Sequence, residues 1–211
     1  MSLSGILNQL LQSLLVVFLA PILLGWVNTC RAWLQNRGGA GLLQPYRELR
    51  RLFSKEAVLA EQATPLFRAT PYILFGAMWL AASIVPVLAT DLPLAPAADI
   101  IALVGLFTLA RFFMALAAMD VGSAFGNLGA RREMLVASLS EPALLTALFI
   151  AALVSQSTAL TTIVENIAHR HFMLYPSMLF AAAAFALVFL AENARIPVDN
   201  PDTHLELTMI H

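Results

Sequence analysis

Four stretches of the chain carry no charged residue, and a fifth carries one, although each is long enough to cross a lipid bilayer. A helix that crosses the hydrocarbon core needs about 20 mostly apolar residues. These runs are continuous and rich in Leu, Ala, Phe and Met, whereas strands of a membrane barrel show short alternating segments. The sequence therefore predicts an all-α, polytopic membrane protein with a single transmembrane domain over residues 1–211. The uncharged stretches are 1–30, 69–90, 142–164 and 172–191, and the stretch 100–119 contains only Arg111.

The positions of Lys and Arg predict how the helices are oriented. Basic residues favour the cytoplasmic side of a membrane protein. Ten of the twelve lie in the segments 30–69, 120–141 and 192–211, which we therefore assign as cytoplasmic loops. The N-terminus is then outside and the C-terminus in the cytoplasm. The five transmembrane helices are expected at about 7–29, 70–90, 99–119, 142–160 and 173–191.

Composition excludes several classes of protein. The chain is 60% hydrophobic and 12% charged with a net charge of −1, so its surface cannot hold a nucleic-acid backbone. The single cysteine, Cys30, cannot form an internal disulfide or supply the ligands of an iron-sulfur cluster or a zinc site. No nucleophile with a supporting base and no phosphate-binding loop is recognisable. We therefore expect no catalytic residue and no metal site in this chain, and any redox metal should belong to another chain.

The first cytoplasmic loop contains a predicted amphipathic helix that begins near Pro45. Apolar residues recur there at helical spacing, and basic residues occupy the rest of the surface. This pattern is typical of a helix that lies in the membrane interface. This helix has two possible roles. It is either a basic anchor that only sets the topology, or a surface helix that borders a cavity or a partner subunit. The apolar stripe is Tyr46, Leu49, Leu52 and Phe53, and the basic residues are Arg47, Arg50, Arg51 and Lys55.

Arg111 lies inside the third predicted span, nine residues before Asp120. A charge at this depth costs at least about 2.5 kcal/mol unless it finds a partner or water. Arg111 must therefore face protein or a wet cavity. It is either half of a structural ion pair that joins helices or a member of an ion pathway.

Two glutamates, Glu133 and Glu141, lie close to the inner membrane face in the predicted loop 120–141. The glycines of this loop do not have the spacing of a phosphate-binding loop. Taken alone, Glu133 is most simply a solvated carboxylate paired with Arg131 or Arg132.

The last segment, residues 191–211, combines carboxylates with prolines. Its carboxylates recur every seven residues, which would align them on a continuous helix. Two prolines forbid that helix, so the chain must turn and fold the carboxylates and Arg195 toward the bundle. Carboxylates beside a water-filled cavity predict a proton path, and an ordinary solvated tail is the alternative. The carboxylates are Glu192, Asp199 and Glu206, and the prolines are Pro197 and Pro201.

Three segments together resemble one family of membrane subunits. They read GLLQPYRELRRLFSKE from residue 41, GSAFGNLGARREMLVASLSEP from residue 122 and AENARIPVDNPDTHLEL from residue 191. In this order and at these membrane depths they resemble the family that unites subunit 1 of respiratory NADH dehydrogenase (complex I) with the membrane subunit of formate hydrogenlyase and related group 4 energy-converting hydrogenases. The resemblance covers nearly the whole chain.

Within this family, the last segment is similar to the quinone-reducing branch but departs from it at two positions. Asp202 replaces a glutamate, and His204 stands where that branch has another glutamate. Three features look more like the hydrogenase branch, of the formate hydrogenlyase and hydrogenase-4 type. They are the residues around Arg111, the pair Arg132 and Glu133, and the sequence RIPVDNP. The motif positions that match are Glu192, Arg195, Pro197, Asp199, Pro201, Glu206 and Leu207.

The resemblance implies a non-catalytic membrane-arm subunit that docks a peripheral electron-transfer arm and couples redox chemistry to the translocation of protons or sodium ions. It implies no cofactor in this chain, and nickel-iron and iron-sulfur centres on a hydrogenase-like large subunit and an iron-sulfur small subunit. Antiporter-like subunits would be its neighbours in a bacterial cytoplasmic membrane. The implied proton-relay residues are Glu133, Glu141, Glu192, Asp199 and Glu206, their counter-charges are Arg111, Arg132 and Arg195, and the partner interface contains Arg47, Arg50, Arg51, Asp202 and His204.

Two other functions remain open. One is the quinone-site subunit of an NADH-quinone oxidoreductase, in which case quinone would bind. The other is an independent channel or transporter, although the chain has no internal repeat and no paired broken helices. Family members continue with further transmembrane helices, whereas this chain stops at His211, so we expect a truncated chain without the C-terminal helices. If that end is natural, a complete quinone cavity is not expected.

Overall fold

The computed structural model describes residues 3–39, 41–57, 59–60, 63–90, 92–169 and 176–193. The regular structure of these residues is helical, apart from one isolated β-bridge between Asp99 and Ala159. The prediction of an all-α membrane protein is confirmed. The helices are α1 (Leu3–Leu34), α2 (Gln44–Phe53), α3 (Pro65–Ile84), α4 (Ile100–Asp120), α5 (Ala124–Ser155), α6 (Leu160–His169) and α7 (Pro176–Glu192), with a 3-10 turn at Ala95–Ala97.

Helices α1, α3, α4, α5 and α7 occupy the regions of the five predicted spans. By length and composition, α1, α4 and α5 can each cross a membrane, and α7 is a shorter apolar helix. Helix α3 has 20 residues and includes Arg68 near its start. Many large apolar side chains lie on the outer surface, such as Leu7, Phe180 and Phe189. Contact of these apolar side chains with lipid is favourable, whereas their contact with water is not.

Helix α4 lies between α3 and α5, while α7 packs against α5 and α1 packs against α3. Small residues allow this close packing, because alanines let helix backbones approach each other. Near the start of α4, Ile100, Ala152 and Ile163 form one apolar cluster. A second cluster joins three helices through Val104, Leu144 and Val188. The buried alanines are Ala77, Ala81, Ala110, Ala115, Ala117, Ala130, Ala147 and Ala152.

Helix α3 ends at Ile84, earlier than the predicted span 70–90. The reason is Pro86, because the residue before a proline is pushed out of the helical region. Val85 accordingly has an extended conformation, with φ −73° and ψ 122°. The chain beyond Ile84 therefore leaves several backbone groups without helical partners.

Gln12 of α1 satisfies those backbone groups. Its Nε2 donates to the carbonyl oxygens of Ser83 at 3.3 Å and Val85 at 2.7 Å. Its Oε1 accepts from the backbone N–H groups of Val87 and Leu88, each at 3.2 Å. The side chain of Gln12 is 0% exposed. One amide therefore fastens α1 to the outer end of α3, which the sequence analysis did not anticipate.

Much of the segment predicted as loop 120–141 is helical. Ser123 caps the start of α5 by accepting a hydrogen bond from the N–H of Gly126, and the helix continues through Pro142 to Ser155. Gly126 lies so close to α4 that an added Cβ would be 2.7 Å from the carbonyl oxygen of Ala118. With 32 residues, α5 is about 48 Å long, which is longer than a bilayer core is thick. The inner half of α5 therefore carries the residues that were assigned to a loop.

The amphipathic helix predicted in the first loop is confirmed as α2. The Tyr46 hydroxyl donates to the backbone carbonyl of Phe18, so α2 is fastened to α1. The segment before α2 also approaches α1 closely, because a Cβ added to Gly25 would clash with the carbonyl of Leu42. Phe53 at the end of α2 is 88% exposed. An apolar side chain in that position suits a membrane interface.

Helix α6 was missed by the sequence analysis, which read its residues as part of a span and an outer loop. Asp99 joins this end of the bundle: it caps α4 by accepting from the N–H of Ile101 at 2.8 Å, and it accepts from the Thr158 hydroxyl. Asn166 of α6 donates to the carbonyl oxygen of Ser155 at 3.2 Å. These bonds hold α4, α5 and α6 together at the end of the bundle where α4 begins.

Candidate functional site

Arg111 of α4 forms an ion pair with Glu192, the last residue of α7. The Nη2 of Arg111 is 2.6 Å from Oε2 of Glu192, and the two side chains are 11% and 21% exposed. The same Nη2 donates to the backbone carbonyl oxygen of Glu192 at 3.3 Å. A cation at this position is favoured, because the carbonyl end of a helix carries partial negative charge.

Ser140 of α5 completes this arrangement. Its Oγ accepts from Nη1 of Arg111 at 3.2 Å and donates to Oε1 of Glu192 at 3.0 Å. One buried polar contact therefore joins α4, α5 and α7, although α7 packs mainly on α5. A buried charge is tolerated when it is paired and hydrogen-bonded, and Arg111 has both an ionic partner and hydrogen bonds to Ser140 and the Glu192 carbonyl.

A cavity of about 170 Å³ lies between α4 and α5 beside the ion pair. One water occupies about 30 Å³ in the liquid, so this volume suits a small cluster of waters. Its wall is mainly apolar and partly open, and its few polar residues are Arg111, two glutamates, a threonine and a serine. The lining residues are Thr108, Arg111, Phe112 and Ala115 of α4, and Glu133, Met134, Ala137, Ser138 and Glu141 of α5.

Glu133 and Glu141 supply the two carboxylates of this cavity. They are eight residues apart on α5, which corresponds to about 12 Å along the helix axis. Both are close enough to act electrostatically on the Glu192 carboxylate. Three of the carboxylates predicted to form a proton relay therefore lie around Arg111, one of their predicted counter-charges.

The remaining predicted site residues lie elsewhere. Arg132 is exposed on α5, and the basic residues of α2 are exposed on a helix that packs against α1 rather than on the helices of the ion pair. Those α2 residues are Arg47, Arg50 and Arg51. The other predicted residues, Arg195, Asp199, Asp202, His204 and Glu206, lie outside the described residues.

Two contributors to the inner end of the bundle were missed. Ser140 has only a weak sequence signal, a small polar residue directly before Glu141 and Pro142 at the end of a span. The other is Asp120, whose Oδ2 accepts from the backbone N–H of Thr64 at 2.8 Å and from its hydroxyl at 3.0 Å. This contact fastens the end of the first loop to the end of α4.

Within the described part of the chain, no group of three or more His, Cys, Asp or Glu residues could hold a metal ion. Cys30 is partly buried in α1. The described residues therefore offer no ligand set for a nickel-iron or iron-sulfur centre.

A second, apolar cavity of about 600 Å³ follows one side of α1. It covers roughly eleven residues of the helix, about 16 Å along its axis. Leu42, which precedes α2, and Val87, which follows α3, contribute to its lining. The α1 lining residues are Leu15, Val16, Leu19, Ala20, Ile22, Leu23 and Trp26.

A family model described as NADH dehydrogenase matches residues 8–209 of this chain. The chain is 36% identical over 203 residues to formate hydrogenlyase subunit 4 of Escherichia coli (strain K12), a match that covers 96% of this chain and 66% of that protein. It is 32% identical over 202 residues to hydrogenase-4 component C of the same strain, covering 96% of this chain and 64% of that protein. The chain thus spans about two thirds of the length of these relatives.

The fold is also similar to that of a chain in the structure of the membrane-bound sulfane sulfur reductase, an archaeal respiratory membrane complex. The TM-score is 0.76, and the match covers 97% of this chain and 69% of that chain. At 22% identity, this match shows likeness of fold.

Proposed function

Since this chain belongs to the NADH dehydrogenase family, as its three sequence segments predict, we propose that it is a membrane-arm subunit of a complex I-related, hydrogenase-type oxidoreductase. In this role it couples redox chemistry in a peripheral arm to the movement of protons, or of sodium ions, across the membrane. It carries out no redox step itself.

The observation that carries this proposal is the Arg111–Glu192 ion pair beside the cavity lined by Glu133 and Glu141. A carboxylate that can take up and release a proton is useful in a membrane when water reaches it and a counter-charge is near. Ionisable residues at this depth are costly, and a functional reason is their default explanation. The cavity lies at the inner end of α5, toward the predicted cytoplasmic loops.

Docking of the peripheral arm is assigned to the inner loops. The exposed arginines of α2 and the fastening of the first loop to Asp120 support a fixed basic surface there. We infer that a hydrogenase-like large subunit and an iron-sulfur small subunit, which carry the nickel-iron and iron-sulfur centres, bind on this side. Antiporter-like subunits would lie beside the chain in the bilayer. With the basic loops inside, the N-terminus is outside and the host membrane is the bacterial cytoplasmic membrane.

Purification in mild detergent tests this proposal. A tagged chain, expressed in its native host, should bring along a nickel-iron large subunit and an iron-sulfur small subunit, and both metals should be detectable by elemental analysis. A chain that repeatedly purifies without either subunit contradicts the proposal. Ion flux in liposomes that contain only this chain would instead favour an independent channel.

A second candidate is the quinone-site subunit of an NADH-quinone oxidoreductase, which the apolar cavity along α1 favours. Its aliphatic lining and Trp26 suit an isoprenoid tail. A photoreactive quinone separates the two candidates. If it labels residues of α1, and quinone-site inhibitors prevent this labelling, the quinone role is supported. Absence of such labelling in an active complex supports the hydrogenase-type role.

A further inference from the structure

The Ser140 hydroxyl contacts both members of the ion pair and a third group. Its Oγ is 3.2 Å from Nη1 of Arg111 and 3.0 Å from Oε1 of Glu192. The backbone carbonyl oxygen of Ala137 lies 3.4 Å from the same Oγ. Ser140 is only 6% exposed. These three protein groups, rather than bulk water, therefore decide where its hydroxyl points.

Two acceptors compete for one hydrogen, because a serine hydroxyl has a single O–H. The Glu192 carboxylate is closer than the Ala137 carbonyl, and a hydrogen bond to a charged acceptor is stronger. When Glu192 takes up a proton, it is no longer a charged acceptor, and its hydrogen bond from Ser140 becomes weaker. Rotation about the Cα–Cβ bond of Ser140 then directs the hydroxyl to the Ala137 carbonyl.

We propose that Ser140 is a positioning residue that selects the partner of Arg111. With its hydroxyl on Glu192, it holds the guanidinium at Glu192, and with its hydroxyl on Ala137 it releases the guanidinium toward the cavity. The inference rests on the proposed function, in which Glu192 accepts and returns a proton. The proton is the only group transferred, and the guanidinium stays protonated throughout.

The charges around Glu192 determine where the Arg111 guanidinium moves when Glu192 is protonated. Among the described residues, α4 presents Arg111 to it, and α5 presents Ser140 and the charges of Glu133 and Glu141. Arg111 also lines the cavity that contains both of these carboxylates. Once Glu192 is neutral, these two carboxylates attract the guanidinium, and positive charge moves toward the cavity for each proton that Glu192 receives.

Helix α5 has a built-in weak point next to Ser140. Pro142 has no backbone N–H, so it cannot donate the helical hydrogen bond to the Ser138 carbonyl one turn earlier. The turn that carries Ser140 is therefore held by fewer backbone bonds than a regular turn. It can adjust when the Ser140 hydroxyl changes acceptor, and the change reaches the cavity wall formed by Ser138 and Glu141.

The pH profile of proton translocation by the intact complex in liposomes tests this inference. Ser140→Ala should move the profile by about one pH unit, because it removes a hydrogen bond to the charged form of Glu192. Ser140→Thr keeps the hydroxyl and should restore the wild-type profile. Ser140→Cys keeps the volume but donates weakly, so it should produce an intermediate shift.

Thr146→Val is the matched control. Thr146 lies on the same helix, and its hydroxyl donates to the Pro142 carbonyl at 2.7 Å without touching the ion pair. The pH profile of proton translocation in Thr146→Val should be that of the wild type. An unchanged profile in Ser140→Ala, no rescue by Ser140→Thr, or loss of assembly in both Ser140→Ala and Ser140→Cys overturns the inference.

Glu192→Gln distinguishes the two levels of the proposal. If Glu192→Gln slows translocation about tenfold while Ser140→Ala has the wild-type profile, the role of Ser140 is wrong and the proposed function stands. If Glu192→Gln translocates protons at the wild-type rate, the proposed function of the site is wrong and the inference falls with it.

Discussion

Arg111 and Glu192 are 81 residues apart in the sequence, yet Nη2 of one is 2.6 Å from Oε2 of the other. The pair joins the middle of α4 to the end of α7, and both side chains are mostly buried. Neither charge could be left alone at this depth without a large desolvation cost. The pair is therefore a structural link between helices, and under the proposed function it also contains the carboxylate that takes up a proton.

Truncating Arg111 should destabilise the subunit strongly. Arg111→Ala leaves a buried carboxylate without its partner, and we expect a loss of about 3–5 kcal/mol in the free energy of unfolding. Replacing both residues, with Arg111→Met and Glu192→Met, should recover most of that loss because no buried charge remains.

Unfolding in detergent micelles, followed by tryptophan fluorescence, measures this effect. Arg68→Ala is the control, since Arg68 is exposed at the start of α3 and should change stability little. A single variant Arg111→Ala as stable as the wild type would show that Arg111 reaches the membrane surface rather than depending on Glu192.

Neutralising the carboxylates around the cavity should impair coupling while assembly continues. We expect Glu133→Gln, Glu141→Gln and Glu192→Gln each to lower the rate of redox-linked proton uptake by about tenfold, which corresponds to about 1.4 kcal/mol in the activation barrier. The amide keeps the size of the side chain but cannot take up the proton.

Proton uptake by the purified complex, compared with its redox activity in detergent, measures this coupling. Glu165→Gln on α6 is the matched control, because Glu165 is exposed at the opposite end of the bundle. Loss of the complex in all three cavity variants, with no change in coupling per assembled complex, contradicts the relay and favours a structural role.

Gln12→Leu should weaken the attachment of α1 to α3. The substitution removes four hydrogen bonds to backbone groups at and just beyond the end of α3, and at least one buried group then lacks a partner. An unsatisfied buried group costs about 1–3 kcal/mol. Micelle unfolding should show this loss, while Leu14→Ala on the lipid-facing side of α1 should cost less. Equal stability of Gln12→Leu and wild type contradicts the role of this amide.

Gly25→Ala should displace the segment that leads into α2. An added Cβ would clash with the Leu42 carbonyl, so the first loop must shift away from α1, at a cost of about 1–3 kcal/mol. Gly76→Ala is the matched control, because nothing lies within 4 Å of a Cβ built at Gly76. Trypsin should therefore cut the arginines of α2 faster in Gly25→Ala than in Gly76→Ala. Equal cleavage rates would show that α2 does not depend on this contact.

The positions of the apolar helices were predictable from local composition. The uncharged stretches and the stripe of α2 indicate helices directly, since each property belongs to consecutive residues. Helix ends were less predictable. Pro86 ends α3 early, and the backbone groups that it leaves unpaired bond to Gln12, more than 70 residues away in the sequence. The short helix α6 was hidden in a stretch that could equally be read as part of a span.

Four residues that the structure brings together were named from the sequence, but their arrangement was not. The sequence singled out Arg111, Glu133, Glu141 and Glu192 because charges are rare and costly near a membrane interior. It did not indicate which of them pair, and Ser140 went unnoticed because a serine in a helix is ordinary.

The sequence by itself determined that this chain forms apolar helices suited to a membrane, because hydropathy is a property of each segment alone. Only the tertiary structure decided that Arg111 pairs with Glu192 through Ser140, while Glu133 and Glu141 line the adjacent cavity. The physical reason is that the partner of a buried charge depends on which helix faces meet. The packing of α4, α5 and α7 brings these faces together across 29 to 81 residues of sequence.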